Sequence, residues 1–242
     1  MLRAGATQTV LPFRVMAPST IGTFLRTFKF GFVRQLDAVA SRLLVNAWAA
    51  GAGPGSTDLV IDLDSTICEV HGHKKQGAAF GYTKSLGRHP LVATRAGTSQ
   101  ILFSRMRKGS AGSARGINRF IEELAGILRR AKATGAMTVR ADSGFWSWQL
   151  LLTFDRHHMA WSITVTNNKK VQAAIAAIAD EAWVDIDYTL SRFAQVAETT
   201  YIGHRRRDRH HGQSRLHDTA LTRRTDSLAP RPGVAVNQPS MV

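Results

Sequence analysis

Acidic residues are scarce in this chain. Only 17 Asp and Glu stand against 32 Lys and Arg over 242 residues, a formal charge of +15, with an isoelectric point near 11.1. That deficit excludes a polycationic partner and points to a polyanion, nucleic acid ahead of a membrane surface. Cysteine is nearly missing: Cys68 alone rules out an intramolecular disulfide and fits a reducing compartment. No apolar run approaches the roughly 18 residues of a membrane span, and the first residues lack the basic-then-apolar order of a secretory signal. The expectation is a soluble, cytoplasmic product with no membrane partner, long enough for one domain with appendages.

What is present is patterned. Leu59-Val-Ile-Asp-Leu-Asp-Ser-Thr66 is an apolar run ending in two acids two residues apart. Alternation along a strand puts Leu59, Ile61 and Leu63 on one face and Val60, Asp62 and Asp64 on the other. With apolar residues on both faces the strand reads as central rather than as an edge. A carboxylate at the end of such a strand is costly unless a cation neutralises it, and a divalent metal is the leading candidate. The alternative is that Asp64 caps a turn, as Asp and Ser often do. Thr138-Val-Arg-Ala-Asp-Ser-Gly-Phe-Trp146 repeats the design and delivers Asp142. Two strand-end acids in successive halves of a β-to-α pattern can meet at one sheet edge, which favours the metal.

Around these stretches the periodicity predicts a helical segment over 1–57, where Phe24, Leu25, Phe28, Phe32, Leu36, Val39, Leu43 and Leu44 recur at helical steps. Gly51-Ala-Gly-Pro-Gly55 breaks it. After Thr66 a glycine-rich basic loop or hairpin runs to Tyr82. Lys74, Lys75, Lys84, Arg88 and His89 are read as facing phosphate, and Tyr82 as stacking on a base. Zinc at Cys68, His71 and His73 lacks the second ligand pair that structural sites use. Leu91–Arg95 and Gln100–Met106 read as a hairpin. From Ile117 one apolar stripe runs to Ala131, with Gly135 as the stop. A shorter helix spans Trp146 to Phe154, and an alternating strand spans Ala160 to Thr166 with Trp161, Ile163 and Val165 inward. Beyond it the pattern gives a helix over 169–178 and strands over 183–188 and 193–202. Asp185 and Asp187 imitate the Asp-x-Asp spacing but read as a polar strand face.

Residues 203–242 differ in kind. They hold eight Arg but no Lys, Ile, Phe, Trp or Tyr, too little apolar surface to order a chain, so a disordered Arg-rich tail is expected. Arginine-only basicity and the loss of pattern after Ile202 are what a reading-frame shift in a GC-rich gene produces. The nucleotide sequence downstream of the Ile202 codon tests that idea.

Asp62-Leu-Asp-Ser-Thr66, Glu69-Val-His-Gly-His-Lys-Lys-Gln-Gly-Ala78, Arg107-Lys-Gly-Ser-Ala111, Arg140-Ala-Asp-Ser-Gly-Phe-Trp146 and Ala197-Glu-Thr-Thr-Tyr201, in this order, resemble bacterial insertion-sequence transposases of the DDE type over about residues 1–202. The resemblance implies an α/β fold. Its core would be a ribonuclease-H-like mixed sheet with flanking helices over 58–202, carrying the start of a partial β insertion. The Asp64 strand would lie between the hairpin and the Asp142 strand. It implies Mg2+ or Mn2+ held by Asp64 and Asp142, with Asp62 as an auxiliary or alternate ligand, for DNA cleavage and strand transfer. Partners would be double-stranded DNA, as transposon ends and target, bound in part by Arg107 and Lys108, and a second copy of the full-length chain, on the nucleoid.

One departure stands out. The family's third acid is a glutamate on a helix beyond the β insertion, and only Glu181 and Glu198 follow Asp142, one at a helix end and one in a strand. The expectation is therefore a fragment truncated at both ends, inactive or impaired. The alternatives are a DNA-binding repressor-like fragment and a simple metal-dependent nuclease.

Overall fold

The computed structural model describes residues 17–72, 75–188, 191–201, 218–224 and 234–237, the last two as backbone. The expected helical prelude is a helix pair, α1 (Pro18–Arg26) and α2 (Phe30–Ala47), which runs on through one wide turn, Trp48–Ala52. Pro18 sits at the first turn of α1, where its missing N–H costs nothing. Gly51 takes φ +100°, a value other residues avoid, and ends the helical run. α1 buries no residue, while α2 reaches the core through Leu44 and its continuation through Trp48.

β1 (Leu59–Ser65) follows, then a small sheet of β2 (Cys68–Glu69), β3 (Ala79–Phe80) and β4 (Leu86–Arg88), and then the hairpin β5 (Leu91–Arg95) and β6 (Gln100–Arg105). α3 (Ile117–Arg130) leads to β7 (Met137–Ala141), and α4 (Trp148–Arg156) to β8 (Met159–Val165). The main sheet runs β6-β5-β1-β7-β8, antiparallel from β6 to β1 and parallel from β1 to β8. This is the order expected from the sequence, with β1 in the middle: a ribonuclease-H-like mixed sheet with flanking helices.

The stripe read on α3 is its buried side. Ile117, Phe120, Ile121, Leu124, Ile127 and Leu128 join Leu59, Ile61, Leu63, Val139, Trp161 and Ile163 in one core, where burying each aliphatic side chain contributes about 1.5–3 kcal/mol. Two readings change. β1 is central, but its second face is open: Val60 and Asp62 are half-buried and Asp64 is exposed, beside half-buried Thr94 and Thr138 and exposed Arg140. The helices of the core cover the Ile61 face, so the acids stand on the uncovered side. Gly135 is not the stop of α3. The helix ends at Arg130, Lys132 takes the left-handed turn at φ +58°, and Gly135 is glycine because a β-carbon there would overlap the carbonyl of Thr57. Val165, on the strand face of Trp161 and Ile163, is half-buried and packs against the core as expected.

Past β8 come α5 (Lys169–Ala176), β9 (Val184–Tyr188) and β10 (Ser191–Tyr201). Of the tail expected to lack order, two stretches are strands, β11 (Asp218–Arg224) and β12 (Val234–Asn237). β12 pairs with β8, and β11 joins β12 to β10. β8 and β10 each offer an edge, and these short segments pair with its N–H and C=O groups without needing a core of their own. The rest of the tail lies outside the described residues.

Candidate active site

Parallel pairing fixes the acids. β1 and β7 are registered Ile61 to Val139, Asp62 to Arg140 and Leu63 to Ala141, so Asp64 and Asp142 stand level one step beyond the last pair, on strands about 4.8 Å apart. Both are exposed. Each is oriented by the backbone of its own turn: Ser65 N–H donates to Asp64 Oδ1 at 2.6 Å, and Gly144 N–H to Asp142 Oδ1 at 2.9 Å. The Asp142 turn is a single 3-10 turn, Ser143–Phe145. Buried Phe145 and Trp146, edge-on to Trp161 at 6.1 Å, anchor it. Neither acid enters an ion pair among the described residues, so one oxygen of each carboxylate stays free of protein donors.

Asp62 is different. Arg140 grips it through two parallel hydrogen bonds, Nε to Oδ1 at 2.6 Å and Nη2 to Oδ2 at 2.8 Å. This fork-to-fork geometry occupies both oxygens. Asp62 is thereby an anion already neutralised, and its part as an alternate ligand is not what its contacts favour.

Behind Asp64 lies a network the sequence reading missed. His89, read there as a phosphate contact, is wholly buried. Its Nδ1 is 2.6 Å from the carbonyl of Ala111. Since a carbonyl only accepts, that nitrogen carries a proton, and Nε2 lies within hydrogen-bond distance of the Ser65 hydroxyl, 3.0 Å away. Ser65 Oγ also meets Ser113 Oγ at 3.3 Å. Nothing in the sequence around it marks that burial, since the residues before it, Lys84 and Arg88 among them, read as basic surface.

The basic residues divide. Arg107 serves the fold: Nε donates to His89 O, and Nη1 to the carbonyls of Gly112, Ser113 and Arg115, all within 3.0 Å. Burial, with Arg115 nearby, lowers its pKa. Nη2 is buried without a partner, so the phosphate contact expected of Arg107 finds no exposed donor in this arrangement. Lys75, Lys84 and Lys108 are exposed, and half-buried Arg88 donates to Gln76 O at 3.1 Å. An isolated bridge ties Arg88 to Lys108. Lys74 and His73 lie outside the described residues.

No cluster of three His, Cys, Asp or Glu forms among the described residues. Exposed Glu181 lies in a 3-10 turn, Asp180–Ala182. Exposed Glu198 lies on β10, four strands from β7 in the sheet, a separation of about 19 Å. Neither meets the acid pair. Asp185 is exposed and accepts from Gln195 at 2.9 Å, as a polar strand face does; the side chain of Asp187 is outside the described residues.

Sheet order, register and acids at adjacent strand ends define the class, a ribonuclease-H-like domain with a paired-carboxylate edge. The chain matches the family model for transposase DDE domain group 1 over residues 7–205 and belongs to that family. No curated protein matches it. Among solved structures, the piggyBac transposase synaptic complex with hairpin DNA is similar at 12% identity over 59% of this chain and 30% of that one, with a TM-score of 0.38. Two Mos1 transposase structures are similar at a TM-score of 0.30 each. The paired-end complex with the left transposon end shares 11% identity over 54% of this chain and 41% of that one, and the mariner paired-end complex with Mn shares 10% over 60% and 48%. This chain spans less than half the length of each of these.

Proposed function

We propose that this chain is the acid-bearing part of a DDE transposase that cuts and rejoins double-stranded DNA with a divalent metal, and that by itself it is catalytically impaired. One observation carries the reading: the β1–β7 register sets Asp64 level with Asp142, and neither has a cationic partner among the described residues, while Asp62, on the same strand, has one. Two carboxylates with free oxygens suit a hard, oxygen-seeking ion, magnesium or manganese. What such an ion supplies is Lewis acidity toward a phosphodiester, activating the entering hydroxyl and stabilising the leaving oxygen.

The chain's own share is positioning. Asp64 and Asp142 hold the metal, the N–H groups of Ser65 and Gly144 fix their carboxylates, and Lys75, Lys84, Arg88 and Lys108 receive the DNA backbone. With no third acid near the pair among the described residues, the site would hold its metal weakly, and losing one such electrostatic contact typically costs ~10²–10³-fold in rate. A full-length homodimer is part of the reading. Phe32, Leu36, Val39 and Leu43 lie exposed on α2 at steps of four, three and four, a seam suited to a second helix.

The test is strand transfer of pre-cleaved transposon ends in magnesium or manganese, beside thermal unfolding with and without the ion. Magnesium should raise the melting temperature of the chain but not of Asp64→Asn or Asp142→Asn. Strand transfer should be at least a hundredfold below that of a version restored to the unshifted frame. A chain within tenfold of it contradicts the impairment. Cutting without joining favours a nuclease. A repressor-like fragment is the second reading, favoured by exposed basic residues beside an incomplete acid set. It requires selective binding to inverted-repeat DNA with steep salt dependence.

A further inference from the structure

Tyr82 is 76% exposed, yet its mount is rigid. The ring rests on buried His89, centroids 5.9 Å apart and planes tilted by 53°. His89 is bonded through Nε2 to Ser65 at 3.0 Å, whose N–H holds Asp64. Two residues, His89 and Ser65, thus link the aromatic ring to Asp64. The backbone beneath is clamped: a β-carbon on Gly81 would stand 2.6 Å from the carbonyl oxygen of Gly109, and one on Gly109 would overlap the carbonyls of Gly87 and Ala79. Lys84 closes the turn by donating from its N–H to Gly81 O at 3.1 Å, in a left-handed conformation at φ +58°. A non-glycine residue adopts that only when its surroundings insist, and such strain gathers at ligand clamps. Exposed Lys84 lies two residues further along the chain, and exposed Lys108 precedes the Gly109 that packs against Gly81.

An exposed ring fixed this firmly, with lysines on the adjoining segments and a link to Asp64, has the makings of a stacking platform for nucleic acid. Within a duplex both faces of every base are covered by neighbours, so a protein ring can stack only on a base that ends the helix or has left it. We propose that Tyr82 is the stacking site for an unpaired base at a DNA end held beside Asp64 and Asp142. The proposal rests on the DNA-processing reading above and adds which part of the substrate this face takes. The ring reads no sequence, because every base offers a π face.

The experiment measures equilibrium binding of the full chain in EDTA to two fluorescent DNAs. One is a blunt duplex; the other is the same duplex with three unpaired 3′ nucleotides, the first of them 2-aminopurine. The wild-type chain should bind the overhang DNA more tightly and quench its 2-aminopurine. Tyr82→Ala should lose roughly 5- to 150-fold on the overhang DNA, the usual range for one stacked base, and the quenching with it, while its affinity for the blunt duplex stays within twofold. Tyr82→Phe and Tyr82→Trp should restore both signals. Equal loss on the two DNAs, or no loss on either, overturns the proposal, and unchanged melting of the Ala variant shows that the fold is not the cause. A wild-type chain that binds the blunt duplex but makes no distinction refutes the stacking site alone. One that binds neither DNA refutes the DNA-processing reading and the stacking site together.

Discussion

Glu123 is where the helical prelude is fastened to the core, and replacing it should loosen that attachment by a predictable amount. Its carboxylate accepts from Arg105 at 2.6 Å, from Arg34 at 3.1 Å and from Arg119 at 3.0 Å, and Asp37 closes the network onto Arg34 at 3.0 Å and Arg105 at 3.7 Å. α2, α3 and β6 thus meet in one set of charges. Partial burial raises the Glu123 pKa, but the hydrogen bonds from Arg105, Arg34 and Arg119 outweigh it and lower the value from 4.5 to about 2. Taken whole, that displacement corresponds to roughly 3 kcal/mol. Water reaches the cluster and screens it, so about 2 kcal/mol is the working figure. Because the folded-state pKa is depressed, the stability is fully present above about pH 4.5 and is lost as pH falls toward 2. Glu123→Gln should therefore lose about 2 kcal/mol in urea unfolding at pH 7, a drop of some 4–8 °C in melting temperature, and the gap to wild type should close by pH 2. A loss at pH 7 below about 0.5 kcal/mol, or a gap that does not narrow in acid, would refute the assignment.

Other perturbations separate the remaining roles. If Asp62 belongs to Arg140 rather than to a metal, Asp62→Asn should move the midpoint of magnesium-induced stabilisation less than twofold, whereas Asp64→Asn should move it more than tenfold; equal shifts in a thermal titration would return Asp62 to the ligand set. Gly109→Ala should cost about 3 kcal/mol in urea unfolding, the upper range for overpacking, because its β-carbon meets backbone carbonyls that cannot swing aside. Leu36→Glu with Leu43→Glu should abolish self-association in sedimentation equilibrium while leaving melting within about 2 °C, since both side chains are more than half exposed. Dimers that survive the double change would place the interface elsewhere.

The sheet was legible because its strands speak in short-range terms. Alternation marked β1, β8 and the hairpin, a single stripe marked α3, and the chain order of those elements left few ways to lay them side by side. The pairing of Asp62 with Arg140 was equally within reach: placing Asp64 level with Asp142 on parallel neighbours obliges residues two steps earlier to lie level too, and these are Asp62 and Arg140. His89 was not legible, because a histidine after three lysines and an arginine looks like part of a basic face. Its burial follows from its place at the mouth of β5, which only the packing of the 107–113 loop against β4 reveals. Arg107 misled for a similar reason. A guanidinium collecting carbonyls is as basic in the sequence as one facing phosphate, and what tells them apart is the path of a loop several residues on. Gly135 reads as a helix stop on position alone, whereas its cause is a carbonyl from Thr57, 78 positions earlier.

The two acids of β1 make the sharpest argument about what a motif carries. Asp62 and Asp64 share a strand, a face and a residue type, and a pattern that names both treats them alike. Their neighbours on β7 do not: opposite Asp62 the parallel strand supplies a guanidinium, and opposite Asp64 a second carboxylate. The first arrangement is complete within the protein and exposes only the rim of a satisfied ion pair, which at 40% and 55% side-chain exposure contributes little to stability. The second leaves two negative groups whose only donors among the described residues are the backbone N–H groups of Ser65 and Gly144. In the function proposed above a cation from solution completes that pair, and the exposed lysines serve the polyanion the metal would act on. Asp185 and Asp187 repeat the spacing on β9, yet in the register to β10 the residue level with Asp185 is Gln195, not a second acid. Register, more than the Asp-x-Asp string, separates a site from a solvated strand.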